Sequence, residues 1–152
     1  VDVRGFGETK TRAWRASGEY FGNNGAEFFF AYQVGRSLMG ARMIDVMAAE
    51  QSLRSSGEHD LPMELVGVGA AGPVVLHAAA MNPGRYPKVT TIGAIESWQT
   101  VFDSPVTIHQ LENTAHAAWK FYDLPDLVKV IGPEKVVIEN PVDVMGRPLT
   151  DR

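Results

Sequence analysis

The chain has 152 residues, of which 45% are hydrophobic and 21% charged, and these values are typical of one globular domain. A formal net charge of -4, without a concentrated basic face, gives no reason to expect a nucleic acid or an anionic membrane as a partner. The absence of cysteine excludes thiolate chemistry and disulfides, and no apolar run approaches the roughly 18 residues that a bilayer span needs.

Glycine and aromatic residues dominate the first part of the chain. The stretch 4–36 is interpreted as a long loop with one short helix near 26–34, and we expect its aromatic side chains to pack over the core. The chain starts at Val1 on what resembles the end of a strand, so we expect a fragment or a processed product. From Leu38 to Ser55 apolar residues recur every three or four positions, which predicts an amphipathic helix.

Strands and helices alternate in the remainder of the chain. The predicted elements are a strand at 63–68, a helix at 73–81, a strand at 89–95, helices at 106–122 and 124–131, and a strand at 135–139. This order predicts one α/β domain over residues 1–152 with a short, mostly parallel sheet. Because the strands are continuously apolar, we expect helices on both faces and therefore three layers. The unpaired edge of such a sheet predicts a homo-oligomer or a partner chain that covers it.

The turn from Gly67 to Gly72 follows the first of these strands and opens a helix. Its sequence, GVGAAG, matches the G-x-G-x-x-G dinucleotide fingerprint, and Glu96 after the next strand could hold a ribose hydroxyl. The same turn stands where a G-x-S-x-G nucleophile elbow would lie, with Gly69 in the serine position. A close-packed turn without any ligand is the third interpretation.

Several segments carry a resemblance to one family. Residues 2–9, DVRGFGET, resemble the D-x-R-G-x-G-x-S segment that precedes the elbow in α/β-hydrolases of the acetyl xylan esterase and prolyl-oligopeptidase-like branches. Residues 96–98, 122–127 and 140–148 are also similar to bacterial acetyl xylan esterases. The resemblance implies a truncated α/β-hydrolase core and a carboxylesterase-type hydrolase acting on a small-molecule ester or an acylated carbohydrate, without a cofactor.

The resemblance also implies which residues would act and which are missing. Asp143 matches the position of the catalytic acid, with Glu96 as the other candidate, and Ala70 would offer the oxyanion amide. Gly69 supplies no nucleophilic oxygen, and no histidine follows Asp143 in the order that the family requires. We therefore expect a degenerate elbow with little or no serine esterase activity, or a non-catalytic ligand-binding or scaffold module.

Other polar residues have a chemical and a structural interpretation. His109, Glu112 and His116 would share one face of the predicted helix 106–122, which suits a metal ion as well as a solvated or interface surface. His77 is expected to be a partly buried structural histidine. The remaining candidates are interpreted as turn or cap formers: Ser97 and Ser104 as cap hydroxyls, Asp2 and Arg4 as a turn lock, and Asp143 as a possible loop organiser.

Overall fold

The computed structural model describes residues 1–10, 24–57 and 61–149. Its helices and strands in chain order are α1 Gly25–Gln33, α2 Leu38–Ser55, β1 Leu65–Val68, α3 Ala71–Met81, β2 Val89–Ile92, α4 Gln99–Phe102, α5 Leu124–Ile131 and β3 Val136–Glu139. Residues 11–23 of the predicted loop at 4–36 fall outside the described residues.

The three strands form one parallel sheet in the order β1-β2-β3. Leu65 of β1 is in register with Val89 of β2, which is in register with Val136 of β3. The predicted parallel α/β arrangement is confirmed, and α3 and α5 are the connections between successive strands. Strand β2 ends three residues before its predicted end, because Gly93 turns the backbone at a φ of +62°.

The core lies on the face of the sheet that carries α3 and α5. It contains Trp98, Leu124 and Ile131 together with the apolar side of α3 and the β2 residue Val89. On the opposite face of β1, the residues Val66 and Val68 are 56% and 64% exposed. The prediction that β1 is buried on both faces is therefore wrong within the described residues, and the expected third layer is not present over this strand. A continuous apolar run does not by itself reveal which face is covered.

The predicted helix at 106–122 is also wrong. The described chain has only two short 3-10 turns there, Leu111–Asn113 and Ala118–Lys120. His109 and Ala117 adopt positive φ angles of 58° and 57°, which a right-handed helix cannot contain. The apolar spacing of this stretch arises from a folded loop whose side chains reach the core separately, rather than from one helical face.

A buried carboxylate ties α2 to the loop that follows α3. Glu50 accepts hydrogen bonds from the Tyr86 hydroxyl at 2.6 Å, from Arg54 Nε at 2.9 Å and from Arg85 Nε at 2.5 Å. Burial, followed by the hydrogen bond to Glu50, raises the pKa of Tyr86 from 10.0 to about 12.

This shift predicts a pH dependence of folding stability. The pKa of Tyr86 is higher in the folded chain than the unfolded value of 10.0, so its stabilising contribution is complete below pH 10 and is lost as the pH rises towards 12. We expect the difference in unfolding free energy between the wild type and Tyr86→Phe to shrink over that range in urea titrations. A difference that stays constant from pH 9 to pH 12 would contradict the assignment.

Candidate active site at the carboxyl edge of the sheet

The chain turns sharply where β1 ends. Gly69 follows the strand at a φ of +56°, and α3 begins two residues later at Ala71. The Gly69 amide donates to the carbonyl of Ile92 at 2.8 Å, which holds the turn against the end of β2. This is the strand–turn–helix geometry that both the elbow and the dinucleotide interpretations require.

The glycines of this turn have different steric environments. A Cβ at Gly67 would lie 2.6 Å from the carbonyl oxygen of Ala71 and 2.7 Å from Val75, so α3 can approach β1 only because residue 67 is glycine. A Cβ at Gly72 would overlap the Cβ of Ala94. At Gly69 a Cβ would meet nothing within 4 Å, and a side chain there would project into open space. The turn therefore presents position 69 outward while the other two glycines pack the helix against the strands.

Asp143 lies just after β3 and is held by its own turn. Its carboxylate accepts hydrogen bonds from the backbone amides of Met145 and Arg147 at 2.8 and 2.9 Å, and from Arg147 Nε at 2.9 Å. These hydrogen bonds, with that of the Arg147 amide the largest, lower the pKa of Asp143. The geometry fits the loop-organising interpretation, and no described histidine contacts this carboxylate.

Glu96 and Asp143 line one cavity of about 470 Å³ beyond the ends of β2 and β3. Arg147, Thr100 and Ser104 line it as well, so the cavity contains charges of both signs. The structure thus brings the two candidate acids together at the carboxyl edge of the sheet, where ligands of open parallel sheets bind. Gly69 and Ala70 are not among its lining residues.

The histidine in α3 has a structural environment. His77 is 9% exposed, and its Nδ1 lies 2.6 Å from the carbonyl oxygen of Pro73. Because a carbonyl can only accept, Nδ1 carries the proton, and Nε2 accepts from the Tyr122 hydroxyl at 3.0 Å. Burial lowers the pKa of His77. Both nitrogens are occupied within the core, in agreement with the expected structural role.

The proposed metal face is not formed. Without the helix at 106–122, His109, Glu112 and His116 no longer share one surface, and Glu112 is buried in an ion pair with Arg42 at 2.9 Å. The exposed His116 ring contacts Tyr32, with ring centroids 4.5 Å apart and ring planes inclined by 47°. Among the described residues no group of three or more His, Cys, Asp or Glu side chains is placed to hold a metal ion.

A buried polar cluster that the sequence did not predict, formed by Asn24, Arg42 and Glu112, contacts residues 4–6. Arg42 donates to the Arg4 carbonyl at 3.1 Å, and its guanidinium lies 4.3 Å from the centre of the Phe6 ring. Asn24 donates to Glu112 at 2.5 Å and to the Gly5 carbonyl at 3.2 Å. An arginine at a helix position among Met39, Met43 and Val46 is the sequence signal that could have indicated this buried charge.

The remaining predicted turn and cap residues have both local and distant partners. Asp2 accepts from the Glu8 amide at 2.9 Å, whereas Arg4 pairs with Asp45 of α2 rather than with Asp2, its Nε lying 2.8 Å from the carboxylate. The Ser97 hydroxyl donates to Asp123 and accepts from the Gln99 amide. The Ser104 hydroxyl donates to the Thr100 carbonyl at 2.8 Å. The bonds from Glu8 to Asp2, from Gln99 to Ser97 and from Ser104 to Thr100 are typical of turns and helix ends, whereas Arg4 and Ser97 also connect distant segments.

Comparisons of the chain with protein families, with curated proteins and with solved structures found no match. No helix within the described ranges is both long and apolar enough to cross a bilayer.

Proposed function

We propose that this chain is a carboxylesterase-type α/β-hydrolase domain, most similar to acetyl xylan esterases, whose elbow has lost its nucleophile and which acts as a ligand-binding or scaffold module. The observation that carries the proposal is Gly69: a positive φ directly between β1 and α3, with open space where a side chain would project. Elbows use this backbone conformation to lift a serine above the sheet.

The described side chains supply no substitute for serine-type catalysis. A triad needs a histidine that hydrogen-bonds to both the nucleophile and the acid. His77 is engaged by Pro73 and Tyr122, and the Asp143 carboxylate is engaged by its own turn. Within the ranges that the structure describes, the chain therefore offers an elbow turn and a cavity, and no histidine there contacts the Asp143 carboxylate to complete a triad.

The cavity beyond the ends of β2 and β3 supports a role in binding a small polar ligand. The exposed Glu96 carboxylate can accept hydrogen bonds from hydroxyl groups, and the guanidinium nitrogens of Arg147 other than the Nε that bonds to Asp143 can donate to an ester carbonyl or another oxygen. Apolar neighbours such as Val142, Val144 and Leu149 provide the remaining surface. An acylated carbohydrate presents hydroxyls, an ester carbonyl and an apolar methyl group together, so it is the ligand class that we propose.

Hydrolysis of p-nitrophenyl acetate tests the proposal that the chain has no serine-type esterase activity. We expect the wild type, Gly69→Ala and Gly69→Ser all to show turnover no higher than buffer, because His77, the histidine of α3, is held by Pro73 and Tyr122 and is not available as a base for a serine at 69. Each substitution should lower the free energy of unfolding by about 1–2 kcal/mol, since residue 69 has a left-handed conformation. Turnover well above buffer in the wild type that persists in Gly69→Ala would contradict the elbow argument.

Calorimetric titration with acetylated xylo-oligosaccharides tests the binding role. We expect heat of binding that weakens in Arg147→Ala, because Arg147 is the cationic donor in the cavity. Lys129→Ala, which alters an exposed ion pair on α5, is the matched control and should bind as the wild type does. Absence of heat across the ligand series would exclude this ligand class.

Dinucleotide binding is the second candidate, supported by the tight packing of Gly72 against Ala94 and the open backbone at Gly69. These are the roles of the third and second glycines of the fingerprint. The end of β2 carries Gly93 rather than an acid, and the exposed Glu96 lies farther along the chain. Quenching of NADH fluorescence would support this candidate, and an unchanged signal at millimolar cofactor would remove it.

A further inference from the structure

A second cavity, of about 350 Å³, lies among α1, α4 and the folded loop 106–122. Four aromatic side chains line it: Phe28 of α1, Trp98 directly before α4, Phe102 at the end of α4, and Trp119 of the loop. None of its lining residues also lines the cavity that contains Glu96 and Asp143. Its volume falls within the range of small-molecule sites, about 300–1,000 Å³. We call it the aromatic cavity.

The aromatic cavity has a fixed floor and accessible walls. Trp98 is 1% exposed, and its indole Nε1 donates to the Asn113 carbonyl at 2.9 Å, which holds the ring in place. Phe102 and Trp119 are each 47% exposed within the described chain, with ring centroids 4.6 Å apart and ring planes inclined by 40°. A buried ring between two half-exposed ones forms a concave surface that a flat ligand can contact on more than one side.

The backbone beside the cavity adopts an uncommon conformation. Ala117 lines the cavity at a φ of +57°, in a region that residues with a Cβ seldom occupy. It directly precedes the 3-10 turn Ala118–Lys120, which places Trp119 and Lys120 at the cavity. Strained residues of this kind concentrate at ligand sites, because the surrounding structure must hold them in place.

The polar groups of the aromatic cavity select the charge of a ligand. Its described lining contains Lys120, His116 and Thr114 but no aspartate or glutamate. Lys120 is exposed and forms no ion pair with any carboxylate in the described ranges. The Thr114 hydroxyl donates to the Leu111 carbonyl at 2.9 Å. The lining therefore opposes a cation, and it offers few acceptors for the hydroxyl groups of a sugar.

We propose that the aromatic cavity binds a small planar aromatic carboxylate. The ring of the ligand contacts Phe102 and Trp119 above Trp98, in the offset or edge-on arrangements that aromatic pairs prefer. Its carboxylate accepts a charge-assisted hydrogen bond from Lys120. The site depends neither on the elbow at Gly69 nor on the proposed binding of an acylated carbohydrate.

Calorimetric titration of the wild type with trans-cinnamate tests the proposal. Two analogues separate the two parts of the ligand: 3-cyclohexylpropanoate keeps the carboxylate without the aromatic ring, and cinnamamide keeps the ring without the charge. We expect heat of binding from cinnamate and binding about fivefold weaker for each analogue.

Variants with matched controls locate the site. Trp119→Ala should weaken cinnamate binding at least about tenfold, because it removes one wall of the cavity. Phe121→Ala is its control, since Phe121 is 85% exposed and does not line the cavity. Lys120→Gln should weaken binding about fivefold. Its control is Lys88→Gln, which alters an exposed lysine next to the opposite end of β2.

Cinnamate should also shift the indole N–H resonance of Trp119 in the wild type, which keeps the test decisive even if Trp119→Ala does not fold. Absence of heat from cinnamate would overturn the proposal, as would equal binding of either analogue or an unchanged affinity in Lys120→Gln. If Trp119→Ala lost the heat from acetylated xylo-oligosaccharides but kept that from cinnamate, the cavity would belong to a carbohydrate site and the proposal would be wrong.

Discussion

Replacing Arg42 by Met is expected to lower the free energy of unfolding by about 3–5 kcal/mol, the largest effect that we anticipate for a single substitution. The Arg42 side chain is 0% exposed and pairs with Glu112, whose side chain is 7% exposed. Removal of the guanidinium leaves a buried carboxylate without its counter-charge, and desolvation of that charge is the main cost. Urea titration followed by circular dichroism measures the loss.

The same substitution should also disturb the DVRG segment. Arg42 holds the Arg4 carbonyl and lies over Phe6, while Asn24 connects Gly5 to Glu112. These contacts fix a segment that is not part of the sheet to α2 and to the loop before α5. We therefore expect amide hydrogen exchange at residues 4–6 to accelerate in Arg42→Met more than exchange in β2 does.

Two further variants test whether the unpaired, buried carboxylate of Glu112 causes the loss of stability. Arg4→Met breaks the pair between Arg4 and Asp45, in which Arg4 is 53% exposed, and should cost no more than about 1 kcal/mol. Combining Arg42→Met with Glu112→Leu removes both buried charges and should recover a large part of the lost stability. If Arg42→Met costs no more than Arg4→Met, the buried pair does not stabilise the fold as described.

Local signals explain which parts of this structure the sequence predicted. The turn at Gly67–Gly72, helix α2 and the β3 strand depend on glycine positions and apolar spacing within a few residues of each other. The partners of Asp143 lie two and four residues away, which is why its loop-organising role was a foreseeable interpretation. Such short-range patterns are visible in the sequence because one segment contains both partners.

Long-range pairs explain the errors. Glu112 pairs with Arg42, which is 70 residues away, and no spacing within 106–122 contains that information. Glu112 is buried, and His109 and Ala117 have positive φ angles. The stretch 106–122 therefore forms a folded loop instead of the predicted helix, and the predicted metal-binding face is not formed. Similarly, the exposure of Val66 and Val68 depends on which elements cover the sheet. A strand covered on one face and a strand covered on both faces can have the same apolar sequence.

Replacing Gly67 by Ala is expected to lower the free energy of unfolding by about 2–3 kcal/mol, the second largest effect. The new Cβ would lie 2.6 Å from the carbonyl oxygen of Ala71, which is backbone and can move only if α3 moves away from β1. Gly84→Ala introduces a methyl group with nothing within 4 Å and should change stability by no more than about 0.5 kcal/mol. Thermal or urea unfolding of the pair measures the difference.

Gly67 and Gly69 together separate the shape of the elbow from its chemistry. Gly67 keeps α3 against β1 by the absence of a side chain, whereas Gly69 faces open space and its substitution strains only one backbone conformation. Gly67→Ala should therefore alter the chemical shifts of α3 along its length, while Gly69→Ala should confine its changes to the turn. Equal changes in the chemical shifts of α3 in both variants would mean that the conformation of Gly69, rather than the close approach of α3 at Gly67, fixes the turn. In that case residue 69 would not be an outward-facing elbow position.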